Sequence, residues 1–577
     1  GNRYRIKSYW NQWAESGTPP QGYNYGAEYT TERQLRAIRS DYDGSHGAHV
    51  AGIAAGSGYG GASAYRGIAP EADIIAVSLS QIRHSEVLDA VRYIVDKAKA
   101  MNKPCVVNMS FGLLLEAMDG NSLLEVGLEN IANEGPGVVL VAAAGNGGDI
   151  PGHLSHNFSN NEIATIPVTF PAPNIPQRIS IWGEEGQDFE AQMELLNAQG
   201  QRQVVFPSFK VSSPIPLDTF ALVDSDTIFL YMEGVRRSPI NNKPFLSISV
   251  MNNVLVDLSN PFEALRKLRF FKMTIRAKSG KIHAWNIGFG EGLPFSNAIP
   301  FVNTPVAGTV NGDDNYMILT PASSKGVIAV GAYTTMTQYK DYKGVNRSIS
   351  EPSAVGDIAP FSSKGPTHDG RIKPEITAPG NAVISSVSAR DSDVADTLIV
   401  KYDVVNGDTA KYAVYEGASM ASPMVCGIAA LLLQANRNLN FTQIKNIITT
   451  TAIKDNFTGN IPNEVWGWGK VDAYAAIRSA LGLSSVQYNK SGVGRSALVY
   501  PNPLPGGLAT LQLENFAGSQ LQVRLIDLQG KILLSERLTP LSNYFERPIA
   551  FENLAQGMYF LQLSDAQGMH AIKLVIE

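Results

Sequence analysis

Between residues 73 and 145 short apolar runs alternate with helical periodicity, and this alternation restricts the fold more than any other feature of the chain. ADIIAVSLS is followed by Ser85 and a segment that sets Val87, Leu88, Val91, Ile94, Val95 and Ala98 on one face. CVVNMSFG comes next, then a second helix opened by a Ser122/Glu125 capping box and closed near Gly135-Pro136, then VVLVAAAG. Apolar positions recurring at three and four residues cover one side of a helix, whereas a strand buried on both faces reads as a short unbroken apolar run. Strand, helix, strand, helix, strand predicts a parallel sheet with right-handed crossovers. In such sheets functional groups gather at the carboxyl ends of the strands.

From about 160 to 300 the rhythm changes to short alternating stretches such as RISIWGEE, TIFLYMEG and KMTIRAKSG, separated by Gly, Pro, Asn and Asp, the pattern of an antiparallel sandwich. The strand-and-helix pattern resumes at GVIAVGAYTT and runs through a helix from about 419 to 435, so the sandwich is an insertion into the larger domain. Residues 1–162 and 302–484 are therefore the two parts of an α/β domain, 163–301 the insert, 485–497 a linker, and 498–577 a small terminal β-sandwich. A length of 577 residues with 44% apolar content suits several cores rather than one. Forty-seven basic against 52 acidic side chains, with no block of one sign, offer no grip for nucleic acid or anionic lipid. The longest uninterrupted apolar runs fall well short of the roughly 18 residues expected of a membrane span. Cys105 and Cys426 lie in apolar segments, which predicts buried free thiols. The chain opens GNRYRIKSYW, without an initiator methionine or a charged-then-apolar leader, and an export signal is expected to have been removed.

Four short stretches carry chemistry. EGASMASPMVCGIAALLLQ places Ser419 on a glycine-rich approach to a helix of small and apolar residues, with Pro423 in its first turn. A serine there holds its hydroxyl at the positive end of the helix dipole with its backbone N–H open to a developing oxyanion; the bland alternative is an N-cap. DGSHGAHVAG holds His46 and His49, readable as a catalytic base, as packing, or as HxxH metal ligands, although no companion ligand lies at suitable spacing. AAAGN puts Asn146 just past a strand, where its amide could donate to an oxyanion, and NMSFG offers an extended edge ending in Gly112 that could pair with a peptide.

Taken in order, SHGAHVAG, NMSFG, AAAGN, FSSKGPTHDGRIKPEITAPG, GASMASP and WGWGKVDA resemble the motifs of the subtilisin-like serine peptidases, over residues 1 to about 162 and 302 to 484. The resemblance implies a doubly wound, mainly parallel α/β sheet and a serine-type endopeptidase. His46 would be the general base and Ser419 the nucleophile, with Asn146 and the Ser419 N–H as the oxyanion hole and His49 in a structural position. Ser110, Phe111 and Gly112, with Ala144 and Gly145, would hold the substrate main chain; a core role is the alternative for Phe111. Ala48 and Ala418 stand where the family usually has threonine, and a modest loss is expected from each. The larger departure is the third triad member. The family takes it from an Asp-Ser/Thr-Gly motif upstream of the histidine, and no aspartate precedes Asp41 here. Asp41 and Asp43 are expected to point to solvent from the loop before His46, and Glu15 is a poor substitute. Loss of the orienting aspartate costs about 10⁴-fold in turnover in subtilisin and chymotrypsin-like enzymes, so the chain taken literally is nearly inactive. An upstream strand, cleaved from the chain as given or left out of it, is the expected source of the acid, with a separate bound N-terminal peptide as one form it could take.

The insert resembles the jelly-roll module of clostridial germination proteases in position and strand pattern. The tail, with YPNP at 500–503, LIDLQGK at 525–531, GMYFLQL at 557–563 and a terminal KLVIE, resembles the C-terminal sorting domain of the Bacteroidetes type IX secretion system. That implies export across the outer membrane, with the translocon as partner and a secreted or cell-surface destination; an ordinary accessory sandwich is the alternative. No cofactor is required, and calcium, a family habit, has no evident ligand set. Against the peptidase stand an inactive pseudoprotease that keeps the peptide groove and a protein whose importance lies in its being secretion cargo.

Overall fold

The computed structural model describes residues 4–38, 44–58, 65–79, 83–114, 116–169, 176–223, 226–252, 269–288, 298–302, 308–350, 353–405, 408–481, 495–502, 504, 508–527, 530–551, 554–565 and 568–576. The chain divides into two compact units, 1–481 and 482–577.

The α/β core of the first unit holds seven strands: β1 (Ile6–Asn11), β2 (Ala27–Tyr29), β3 (Ile74–Ser78), β4 (Cys105–Met109), β5 (Val138–Ala143), β6 (Ile328–Thr334) and β7 (Ile376–Asn381). They form two ladders, ordered β2-β1-β3 and β7-β6-β5-β4. Every pairing is parallel except β1 with β2. The VVLVAA run forms β5, buried at all six positions. A crossover helix, His84–Ala100, joins β3 to β4 and buries Val87, Ala90, Val91, Tyr93, Val95 and Ala98. The helix Leu123–Ala132 opens on the Ser122/Glu125 capping box, with the Ser122 hydroxyl accepting from the Glu125 N–H at 3.2 Å and the Glu125 carboxylate accepting from the Ser122 N–H at 3.1 Å.

Although β3 and β4 are joined by one crossover, no ladder connects them. All five residues of the apolar strand β3 (IIAVS) are only half-buried, as are Cys105, Val106 and Asn108 of β4. Strands of this composition normally sit inside a sheet with both edges paired. Among the described residues, one edge of each carries no strand partner.

The helix Ala418–Ala435 packs on β4, β5, β6 and β7 and against the helix His46–Ala55. It is long and apolar enough to cross a membrane, but 72% of it is buried inside the fold, as suits a central core helix. Both thiols are free; burial pushes Cys105 up to about 11 and Cys426 up to about 12.

The insert is an antiparallel sandwich. One sheet runs Leu217–Val223, Asp226–Val235, Phe245–Asn252, Gln177–Gly183, Gly280–Gly288, His153–Phe158, and the other runs Arg202–Val205, Phe189–Asn197, Arg269–Ala277, Ile163–Thr169. Ile179, Ile181, Leu230, Ile248, Met273 and Ile275 meet between them in a common core. The sandwich begins at His153, ten residues before the expected boundary, because HLSHNF lacks strand alternation and acquires its strand character by pairing with Gly280–Gly288, far along the chain. The second unit has two antiparallel sheets, of three and four strands, around a core of its own that includes Leu511, Leu513, Val523, Leu561 and Leu563. The expected linker 485–497 falls mostly outside the described residues; a strand has begun by Ser496.

Candidate active site

Ser419 is the second residue of the helix Ala418–Ala435 and is buried. Its hydroxyl donates to the Ser110 carbonyl at 3.2 Å, while the Ser110 hydroxyl donates to the Ser419 carbonyl at 2.8 Å. The Asn108 side-chain amide donates to the Ser110 hydroxyl at 3.0 Å, and the Ser422 hydroxyl donates to Asn108 Oδ1 at 2.7 Å. These four bonds lace the carboxyl end of β4 to the first turn of the nucleophile helix. First-turn N–H groups have no partner inside a helix, so the Ser419 N–H faces out of the helix start. The preceding residue, Gly417, has φ +145°, and a methyl group added to it would lie 3.4 Å from Asn146 Nδ2. Glycine is needed there for the backbone angle, since the added methyl would meet the amide only at ordinary contact distance.

Asn146 lies three residues past β5 and is half-buried. Its Oδ1 accepts the Ala418 N–H at 2.8 Å. That contact fixes which way the amide points and leaves Nδ2 as the donor beside Gly417 and Ser419. The field of the helix start and this donor act on the same spot.

His46, half-buried, opens the helix His46–Ala55. Val50 and Ile53, four and seven residues on, belong to one apolar cluster with Met420, directly after Ser419. This cluster ties the helix of His46 to the first turn of the Ser419 helix. His49 points elsewhere: it is fully buried, stacks on Tyr415 with ring centroids 4.4 Å apart, and its Nε2 lies 3.1 Å from the Ala413 carbonyl. Burial pushes its pKa down to about 4, so it is neutral at pH 7. The Ser385 hydroxyl donates to the His49 carbonyl at 2.9 Å, and a methyl added at Gly52 would meet Ser385 Oγ at 2.3 Å, which is why this helix carries a glycine where it crosses Val383–Val387. Ahead of His46, the Ser45 hydroxyl accepts the Ser388 N–H at 3.0 Å, and hydrogen bonding by Ser45 holds the Asp391 carboxyl below its ordinary range.

Of the residues expected to hold substrate, Ser110 is drawn into the nucleophile lattice. Phe111 is half-buried and packs on the main core. Gly112 is buried, and the next residue, Leu113, pairs with Thr320 through bonds of 2.9 and 3.1 Å. Ala144 and Gly145 have their carbonyls occupied by the N–H groups of Leu319 (3.0 Å) and Ser363 (3.1 Å). Glu15 is exposed in the turn after β1; Asp41 and Asp43 lie outside the described residues. No group of three or more His, Cys, Asp or Glu side chains among the described residues comes together to hold a metal ion. The one local signal for the Asn108–Ser110–Ser422 lattice is a second serine three residues after Ser419, on the same helix face.

Residues 17–175 and 272–469 match the subtilase family, and residues 498–577 match the secretion system C-terminal sorting domain. The chain belongs to the subtilase family. It is similar to the serine protease AprX of Bacillus subtilis (strain 168), with 34% identity over 172 residues, 30% of this chain and 34% of that protein. It also resembles bacillopeptidase F of the same organism, with 33% identity over 148 residues, 25% of this chain and 9% of that protein. The chain thus spans a third or less of the length of these two relatives. The solved structure of the Clostridium perfringens CspB protease shares the fold, with a TM-score of 0.59 at 20% identity over 84% of this chain and 90% of that one.

Proposed function

We propose that the protein is an exported serine endopeptidase that cleaves protein or peptide substrates through an acyl-enzyme on Ser419. The observation that carries this reading is the convergence of Ser419, the oriented Asn146 amide and the Ser110 edge at the carboxyl ends of β4 and β5. In the reaction the Ser419 hydroxyl leaves the Ser110 carbonyl and gives its proton to His46 as Oγ bonds to the scissile carbonyl carbon. Asn146 Nδ2 and the Ser419 N–H donate to the oxyanion, and His46 then returns the proton to the leaving amine. Water attacks the acyl-enzyme by the reverse exchange, with His46 again taking and returning the proton. No cofactor enters this chemistry.

The carboxylate that holds the other ring nitrogen of His46 is assigned to a strand seated between β3 and β4, supplied as an N-terminal peptide or segment. The half-buried, unpaired edges of two apolar strands joined by one crossover support that assignment. The tail unit supports export across the outer membrane to the cell surface or medium, with the type IX translocon as partner.

A second reading, a pseudoprotease that binds peptides without cutting them, draws on the engagement of the Ser419 hydroxyl by a backbone carbonyl. A fluorophosphonate probe separates the two. A hydrolase labels at Ser419 and the Ser419→Ala variant does not; absence of labelling in the protein with its upstream strand present leaves the binder.

A further inference from the structure

We propose that Leu319 sets the specificity of the site by filling the floor of the pocket beside the scissile bond, restricting that pocket to small side chains such as alanine, serine or glycine. The inference rests on the peptidase reading for where the peptide lies, and goes beyond it in naming what the peptide must carry.

A substrate strand running beside Ser110–Gly112, with its scissile carbonyl at Ser419 and Asn146, directs the side chain on the acyl side of that carbonyl between two backbone walls. One wall is Ser110–Gly112 and the other is Ala144–Gly145. Glycine at 112 and at 145 would by itself open a slot wide enough for a large flat side chain. The slot is already occupied. A methyl group added at Gly112 would lie 2.7 Å from Leu319 Cβ, and one added at Gly145 would lie 2.8 Å from Leu319 Cγ. The leucine side chain therefore reaches from one wall to the other, and it is only 3% exposed.

Leu319 has no room to swing aside. Its N–H donates to the Ala144 carbonyl at 3.0 Å, and the neighbouring Thr320 exchanges two hydrogen bonds with Leu113. These bonds fasten its backbone to both walls at once. From below, the side chain packs with Leu114, Met118, Trp285 and Met317 in an apolar cluster built partly by the insert. With the leucine between the walls, a methyl or hydroxymethyl group is expected to fit above it and a ring is not. A hydrophobic pocket discriminates by about 10- to 200-fold per methylene of misfit, so the preference is large enough to measure.

The test uses the full chain carrying Ser419→Ala, and fluorescent tetrapeptide acids that differ only in the last residue, alanine or phenylalanine. The parent is expected to bind the alanine peptide at least about 10-fold more tightly. Leu319→Gly should remove or reverse that preference, and Leu319→Ala should narrow it. The alanine variant keeps the question answerable should the glycine variant fail to fold, with a thermal melt as the check. Equal or tighter binding of the phenylalanine peptide by the parent, an unchanged preference in both variants, or no binding of either peptide would overturn the proposal. Fluorophosphonate labelling of the Ser419 form reports the hydrolase separately: absent labelling with a retained alanine preference sinks the enzyme and leaves the pocket.

Discussion

Asn146 is held in one orientation at the start of the Ser419 helix, as the proposed oxyanion donor requires. Its Oδ1 is engaged by the Ala418 N–H, so Nδ2 is turned toward Gly417. Two substitutions separate these roles. Asn146→Ala should lower kcat by about 10²–10³-fold with little change in KM, the range found when such a donor is removed from a subtilisin. Asn146→Asp keeps an acceptor for Ala418 but offers no donor, and should lose as much turnover while melting near the parent temperature. Steady-state kinetics with a peptide substrate, beside a thermal melt, checks both; turnover retained in the aspartate variant would remove Asn146 from the oxyanion site. The roles proposed for His46, Asn146 and Ser419 come from sequence because each sits in a short motif with its own backbone requirement. Leu319 could not be read in this way, and the Asn108–Ser110–Ser422 lattice showed only its second serine, since their contacts across the fold join residues some 170 to 310 positions apart.

At the scale of elements, the parallel ladders and both helices between 84 and 132 follow from periodicity and capping alone. The division of the sheet between β3 and β4 does not. A βαβ pattern states that two strands are parallel and says nothing about how many strands lie between them. If a strand docks there, both free edges gain a full set of backbone hydrogen bonds. A synthetic peptide with the upstream Asp-bearing strand, added to this chain, should slow amide hydrogen exchange in Ile74–Ser78 and Cys105–Met109 together. It should also raise turnover by up to about 10⁴-fold, and the same peptide with Asp→Asn should protect those amides without the gain in rate. Protection elsewhere with these two strands unchanged would refute the slot.

For the first unit as a whole, buried histidines set the acid limit. His153 lies with Nδ1 2.8 Å from Asp313 Oδ1 and Nε2 3.0 Å from His283 Nδ1, and the His283 ring stands 4.4 Å from that of His368. This row joins the sandwich to the α/β core. Burial lowers His153, His283 and His368, the last to about 4; neighbouring imidazoles and Lys243 add to the effect on His283 and His368, and only Asp313 pulls His153 back. His49, in the catalytic helix, is also pushed down to about 4. The unfolded chain takes up these protons near pH 6.5, and the folded one only at lower pH, near 4 for His49 and His368. Between those values the unfolded state binds more protons, so stability falls as pH is lowered. His49 alone accounts for a loss on the order of 3 kcal/mol by the acid end. Urea titrations from pH 7 to 4 should show the midpoint falling across that window, and less steeply in a His368→Gln variant. A flat profile would mean the cluster is not neutral in the folded protein.

What the sequence determined by itself is the class of fold, the alternation of a parallel core with two β-sandwiches, and which side chains are proposed to react, because periodicity, caps and short motifs act over a few residues. The tertiary structure alone decided that β3 and β4 stand apart, that a leucine from the far side of the insertion lies between two glycine walls, and that three histidines from distant segments share one buried row. Those features depend on which segments meet, and meeting is fixed by the packing of the whole core rather than by any local stretch of chain.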